Sequence, residues 1–480
     1  MAMLGKRRPG RASSGVSGLQ GRQAERREAA GGEQDVLEIR GLAHDGRGVA
    51  RATLGKTVFV EGALPGEHVR VAVHRTRKRF DEAHVRELLV ASAERVAPPC
   101  PYFGRCGGCD LQHLALPAQR RHKQAVLEEL LGRQGIILAA SPALLAGAGE
   151  GYRRRARLGV KVDADGGVHL GFRARHSHRL VDIDACTVLV PALDALLVPL
   201  HQLLAGLEAP RQVGHLELLE SDQGVVVVVR QLRDHPGDAR RWQAFATAHG
   251  VHLARWLGRE AAELDWLTPA PALRCRVPGP DGELSLGVGP GDFLQANAEV
   301  NGLMVRTALS WLAPLAAGER VLDLFAGVGN FSLPLAAAGA RVTAVEGNPA
   351  MVARLGDNAR ANSPGWGLDL EARQTDLAEP TAVRELLQEV VPEVVVLDPP
   401  REGAEVASRA LVEHPVPRLL YISCDPATLA RDAAHLVHGG YRIRHAAVAD
   451  MFVHTSHLES MLLFEYSGSG RQARGASSDG

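Results

Sequence analysis

Hydrophobic and polar positions change rhythm twice along this chain. Between residues 34 and 94, short alternating runs (DVLEIR, GRGVARA, KTVFVEGAL, EHVRVAVHR and DEAHVRELLV) are separated by turn signals such as HDGRG and LPGE. A period of two places every second side chain on one face of a strand. Five such strands in so short a stretch predict a small closed β-barrel of the OB type, whose strand face and loops suit single-stranded nucleic acid. From 95 to 290 the pattern is mixed. A helical period covers 117–134 (PAQRRHKQAVLEELLGRQ), and strand-like runs follow at RARLGVKVD, GVHLGFRAR, HLELLES and GVVVVVRQL. This predicts a central α+β domain. From 291 to 466 the apolar runs RVLDLFA, RVTAVE, EVVVLD, RLLYISC and SMLLFEY alternate with helical stretches. That alternation predicts an α/β domain with a doubly wound, Rossmann-like parallel sheet and an antiparallel end.

The flanks lack any such rhythm. Residues 1–33 and 467–480 are rich in Gly, Ser, Ala and Arg, and are expected to be a disordered basic arm and a disordered tail. In 480 residues no apolar run is long enough to span a membrane, and the N-terminus lacks an apolar signal core. A cytoplasmic protein is the expectation. The net charge is zero, but residues 1–180 hold 31 Lys and Arg against 18 Asp and Glu, while the remainder holds 24 against 37. A basic front suggests a polyanionic partner. Arg is the default cation here, with only five Lys among 55 basic residues, so only clusters are informative. There are three: Arg75, Arg77, Lys78 and Arg79; Arg153, Arg154, Arg155 and Arg157; and Arg173, Arg175 and Arg179 with His176 and His178. One such run can be an ordinary solvated loop. Three in the front of the chain point to nucleic acid.

Several motifs carry chemistry. Six Cys are too few for a disulfide scaffold, but Cys100, Cys106 and Cys109 cluster, with Cys186 further on. Four thiolates can hold zinc or an iron–sulfur cluster, and spacing alone does not separate the two. Radical enzymes that use S-adenosylmethionine place three Cys at a different spacing, which disfavours that class. In VLDLFAGVGNF (321–331) a strand runs into Gly327-x-Gly329 and then an apolar helix, and Glu346 closes the next strand, where an acid can meet ribose hydroxyls. A pyrophosphate loop favours a third Gly or a Lys at the helix start. Asn330, Phe331 and Ser332 supply neither, and Asp323 adds negative charge. S-adenosylmethionine fits better than a dinucleotide.

Asp398-Pro-Pro-Arg401 follows the strand EVVVLD. It can be simply a rigid strand exit. Methylases of adenine N6 carry an aromatic where Arg401 stands, which argues against amino-group methylation. Ser423-Cys424-Asp425-Pro426 places a thiol at a strand end, just before a helix N-terminus whose dipole favours thiolate while Asp425 opposes it. A buried core thiol is the competing reading, and it is the one adopted for Cys275. Glu459 closes DMFVHTSHLE ahead of the strand SMLLFEY. His454 and His457 lack the further ligands a metal needs. A methyl donor, a strand-end Cys and a carboxylate together suit methylation of pyrimidine C5. Thiolate addition at C6 makes C5 nucleophilic, and a base must then remove the C5 proton.

These residues together resemble the RNA (uracil-C5)-methyltransferase family. The likeness runs from about 34 to 466 and rests on FLQANAEVN (293–301), LDLFAGVGNFSLPLA (322–336), Glu346, LDPPREG (397–403), YISCDPATLARD (421–432) and MFVHTSHLES (451–460). The resemblance implies Cys424 as nucleophile and Glu459 as base. It implies a donor site of Gln295, Phe325, Asn330, Glu346, Asp376 and Asp398, Asp376 lying in a variable loop. It also implies a [4Fe-4S] cluster on Cys100, Cys106, Cys109 and Cys186, and a TRAM RNA-binding domain at 34–94. A member with both TRAM and the Cys cluster acts on 23S ribosomal RNA; the tRNA member typically lacks both. The expected protein is a monomeric enzyme acting on 23S rRNA. The rivals are the same chemistry on another RNA and an RNA-binding iron–sulfur protein without catalysis.

Overall fold

The computed structural model describes residues 36–259 and 263–468. The expected basic arm at 1–33 lies outside them, as does the expected tail beyond residue 468.

The alternating runs of the front form a six-stranded sheet, and the first run does two jobs. Leu37–Glu38 pairs with His68–Thr76 at one edge, while Gly41–Leu42 pairs with Gly48–Arg51 at the other. The chain bends at Ile39 and Arg40, whose N–H groups go to Glu67 and Val49 carbonyls. The segment 37–42 therefore links the two edges of the sheet. Leu37, Ile39, Val58, Val60 and Val69 fill its core. Glu67, fully buried, accepts from Arg95 and from the N–H groups of Leu64 and Ser92, which fastens the barrel to the segment that follows.

A seven-stranded sheet forms the centre. Its strand Gly224–Gln231 shows no alternation because both faces are covered. Val225, Val227 and Val229 meet the helices Leu197–Ala205 and Pro236–His249. Val226 and Val228 meet the hairpin Arg274–Pro278 and Glu283–Gly287 in a core shared with the C-terminal domain. Cys275 is buried in that core, as a structural thiol should be.

The C-terminal sheet has eight strands. Asp369–Gln374, Arg341–Glu346, Arg320–Leu324, Val394–Leu397 and Arg418–Ser423 run parallel in that spatial order. Glu459–Tyr466 and then Tyr441–Ala449 extend it, each antiparallel to the strand before. The predicted doubly wound sheet with an antiparallel end is thus present. Its eighth strand comes from elsewhere: Ala143–Leu145 pairs parallel with Tyr441–Ala449. The helix Leu116–Arg133 packs on the helix Pro426–His438 of the same domain. Residues 116–145, expected within a central unit of 95–290, therefore cross over to the C-terminal layer. Val126, Leu127 and Leu131 make the helix's apolar stripe, and that stripe finds its partner there.

Candidate active site

In an open parallel sheet, ligands sit outside the carboxyl ends of the strands. Here each of those ends delivers a chemically useful residue to one cavity of about 590 Å³. Phe325 follows Arg320–Leu324, Glu346 ends its strand, Asp376 follows Asp369–Gln374, Asp398 follows Val394–Leu397, and Cys424 follows Arg418–Ser423. Glu459 opens an antiparallel strand, so its beginning lies at the same edge. Ser423 pairs with Ser460, which sets Cys424 and Glu459 as the next residues out on neighbouring strands. Gln295 and Asn330 complete the cavity wall. All eight predicted residues for donor and chemistry are thus brought together.

Local backbone chemistry explains the loop at the first strand end. Phe325 has φ +66°, a left-handed value unusual for a side chain of its size. Gly329 has φ +103°, and a Cβ there would sit 2.6 Å from Leu355 Cδ1. Glycine is needed both for the conformation and for close packing on the helix Pro349–Trp366. Glu346 accepts from Gly327 N–H (3.1 Å) and Asn348 N–H (2.8 Å), so it also shapes the loop it was expected only to face. Asp376, exposed at the rim, accepts from Ala378 N–H.

The electrostatics are those of a site built for a cation. Burial pushes Asp323 up to about 7, with the Glu346 charge adding to it and the Ser332 hydroxyl opposing. Asp323 Oδ1 is buried without a partner. Burial and the Asp323 charge lift Asp398 to about 7 as well. Burial, then Asp398, raise Glu459 to about 8, against the pull of Arg401. Cys424 is raised to about 11, by burial first and then by Glu459 and Asp398. The thiol form is thus set by burial and by the Glu459 and Asp398 carboxyls, and not by the expected competition between the helix dipole and Asp425. Asp425 caps the helix Pro426–His438 by accepting from Ala427 and Thr428 N–H groups, and so spends its charge there.

Other residues that shape the site were not singled out from sequence. Asn301 exchanges two hydrogen bonds, of 2.8 and 2.9 Å, with the predicted Asn330. Asn358 bridges the hairpin at Gly287 to Val328 O. Lys123 is fully buried and donates to Asp450 Oδ1 at 2.7 Å. Its signal was available: a Lys placed on the stripe of Val126 and Leu127 requires a buried partner.

The second basic cluster is corrected. Arg154 is buried and donates through Nε to Gln295 O at 2.9 Å. Arg155 donates to Asp292 O and pairs with Glu217. Arg153 lies over the Phe452 ring. Arg154 and Arg155 thus brace the segment 292–295 at the donor cavity, while Arg153 lines the cavity of the four cysteines. The third cluster behaves differently: Arg173, Arg175 and His176 line an open cleft of about 490 Å³, shared with Arg47 of the barrel and His457. Arg75 of the first cluster is exposed, with Glu82 at 3.4 Å.

Cys100, Cys106, Cys109 and Cys186 line a second cavity, of about 140 Å³, with Phe103, Tyr152 and Phe172. All four are free thiols. Among the described residues, no three His, Cys, Asp or Glu side chains converge on a point as a single metal ion requires. A zinc ion needs every sulfur about 2.3 Å from one centre. Four thiols lining one cavity are donors of the kind that either zinc or a cluster takes. Among the described residues no helix is long and apolar enough to cross a membrane.

The fold and this cavity define an S-adenosylmethionine-dependent methyltransferase joined to a small N-terminal barrel. Residues 284–467 match the family described as tRNA (Uracil-5-)-methyltransferase, and residues 29–85 match the TRAM domain. A Halomonas elongata protein named 23S rRNA (uracil(1939)-C(5))-methyltransferase RlmD is 64% identical over 488 residues, covering 100% of both chains. Its namesake from Chromohalobacter salexigens is 60% identical over 467 residues, covering 96% of this chain and 95% of that one. The chain belongs to the RNA (uracil-C5)-methyltransferase family. The crystal structure of Pyrococcus abyssi tRNA (uracil-54, C5)-methyltransferase in complex with S-adenosyl-L-homocysteine shares the fold, with a TM-score of 0.68 at 24% identity over 90% of this chain and 100% of that one.

Proposed function

We propose that the protein methylates C5 of one uracil in 23S ribosomal RNA, at the position its named relatives modify, through a covalent Cys424 adduct with Glu459 as base. The observation that carries this reading is the register of two neighbouring strands, which sets a thiol and a buried carboxyl side by side in the donor cavity.

S-adenosylmethionine, when bound, supplies a methyl group on a sulfonium. Gln295, Phe325, Asn330, Glu346, Asp376 and Asp398 would hold it. Cys424, once its proton is lost, adds through Sγ to C6, and the electron pair of the C5–C6 double bond moves to C5. C5 takes the methyl group and then carries both methyl and hydrogen. Glu459 removes that proton, the double bond re-forms, and the C6–S bond breaks to return Cys424 as thiolate. In the resting site burial favours the protonated forms of both Cys424 and Glu459, so the neighbouring groups do not repel each other. A cation in the cavity lowers both groups toward their working forms, as Arg401 does already.

Cys100, Cys106, Cys109 and Cys186 would hold a [4Fe-4S] cluster in the second cavity. No step of the reaction is assigned to it. The cleft between barrel and central domain, lined by Arg47, Arg173 and Arg175, is the surface offered to RNA phosphates.

The test is methylation of unmodified 23S rRNA and of tRNA by the purified enzyme, with the product nucleotide mapped. 5-Methyluridine at the relatives' rRNA position is expected; methylation confined to tRNA would overturn the substrate assignment. Glu459→Gln should accumulate a covalent, methylated RNA adduct visible on a denaturing gel. A variant that turns over normally would remove Glu459 from the mechanism.

A further inference from the structure

The turn leading into Glu459 is held by the loop that carries the cysteines. Residues 450–458 cross between Tyr441–Ala449 and Glu459–Tyr466 without regular structure. His454 in this turn has φ +66°. A side-chain-bearing residue in that region persists only where its surroundings hold it. Two elements do so. From the helix Leu116–Arg133, Lys123 donates to Phe452 O and Gln119 accepts from His454 N–H. From the cysteine loop, the N–H groups of Asp110 and Leu111 both donate to His454 O at 3.0 Å. The Asp110 carboxylate then accepts from Ser456 N–H at 2.7 Å and from the Ser456 hydroxyl at 2.8 Å.

Asp110 thus grips the turn on both sides of residue 455, through its backbone before and its side chain after. It follows Cys109 directly and does not line the donor cavity. The chain runs only two residues, His457 and Leu458, between this grip and Glu459. We propose that Asp110 is a positioning residue for Glu459, locking the His454–Ser456 turn so that the carboxyl meets the C5 proton. The proposal rests on the reading of Glu459 as base. A proton acceptor must lie within hydrogen-bond reach of its proton, and a displacement of about 1 Å can cost about a hundredfold in rate. Only the last step uses Glu459. Loosening the turn should therefore slow release of the RNA more than thiol addition or methyl transfer.

The experiment uses the full-length enzyme with an rRNA fragment containing the target uracil, and Glu459→Gln as reference. Asp110→Ala should lower turnover between about tenfold and a hundredfold and accumulate methylated covalent adduct. Affinity for S-adenosylhomocysteine should stay within about threefold of wild type, since Asp110 lines the basic cleft and not the donor cavity. Asp110→Asn retains an oxygen for the Ser456 N–H and should recover most of the turnover. Ser456→Ala loses only the hydroxyl bond and should fall between them. Wild-type turnover in Asp110→Ala, or slow turnover without adduct while Glu459→Gln traps one, overturns the proposal. If Asp110→Ala does not fold, a graded adduct yield in Asp110→Asn and Ser456→Ala supports it, and no adduct in either overturns it. If Glu459→Gln itself traps nothing, the base assignment falls and the positioning role falls with it.

Discussion

The donor cavity and the thiol cavity are assembled by opposite means. Six of the eight predicted groups around the donor cavity stand at or beside strand ends of one hydrogen-bonded sheet, with Gln295 and Asn330 added from loops. The thiol cavity is built from irregular chain: Cys100, Cys106 and Cys109 on one loop and Cys186 on another. Single bonds hold those loops, such as Cys100 N–H to Gln112 Oε1 and Cys186 N–H to Asp194 Oδ1. A sheet pre-organises its site before any ligand arrives, whereas loops of this kind gain order from the group they surround. The two cavities should therefore respond differently to loss of one residue.

The largest effect falls in the sheet-built site. Cys424→Ala should lower methylation by more than about a thousandfold, because covalent catalysis is lost while the scaffold stands. Affinity for S-adenosylhomocysteine, measured by calorimetry, should be unchanged; turnover near wild type would exclude the covalent route. In the loop-built site, Cys186→Ser should lose bound iron and acid-labile sulfide, measured after anaerobic purification, and lower the thermal midpoint. Cys424→Ala should keep both. Equal metal content in the two variants, or zinc in the wild type, would erase the contrast.

A smaller effect is expected where the central domain braces the donor cavity. Arg154→Ala removes the bond to Gln295 O, and loss of one charged hydrogen bond, about 1.5–3 kcal/mol, should weaken S-adenosylhomocysteine binding about tenfold. The salt dependence of RNA binding should not change, since Arg154 is buried. A shallower salt slope with normal cofactor affinity would return Arg154 to the RNA surface. The smallest effect is on stability. Asp323, Asp398 and Glu459 have folded-state values raised to about 7, 7 and 8. Their contribution is complete below the ordinary carboxylate range and is lost as pH rises through 7 and 8. Tm should therefore fall across that window, and Asp398→Asn should flatten the fall; a Tm that rises there would contradict the burial argument.

The chain's own order made much of this legible. Period-two runs marked the barrel, unbroken apolar runs marked the parallel sheet, and strand-end motifs exposed Cys424, Glu459 and the donor residues. These are local signals, because strand and turn geometry repeat within a few residues. Contacts between distant segments carried no such mark. Gln119 meets His454 across 335 residues, Lys123 finds Asp450, and Ala143–Leu145 joins a sheet whose other strands begin far downstream. Composition misread Arg154 for the same reason: a guanidinium looks alike in sequence whether it faces solvent or a buried carbonyl. What the residues decided alone was which elements form and which chemistry they carry. Burial, charge coupling and the grip of the cysteine loop on the turn before Glu459 arose only when folding brought those elements together, since each depends on neighbours that the chain does not place side by side.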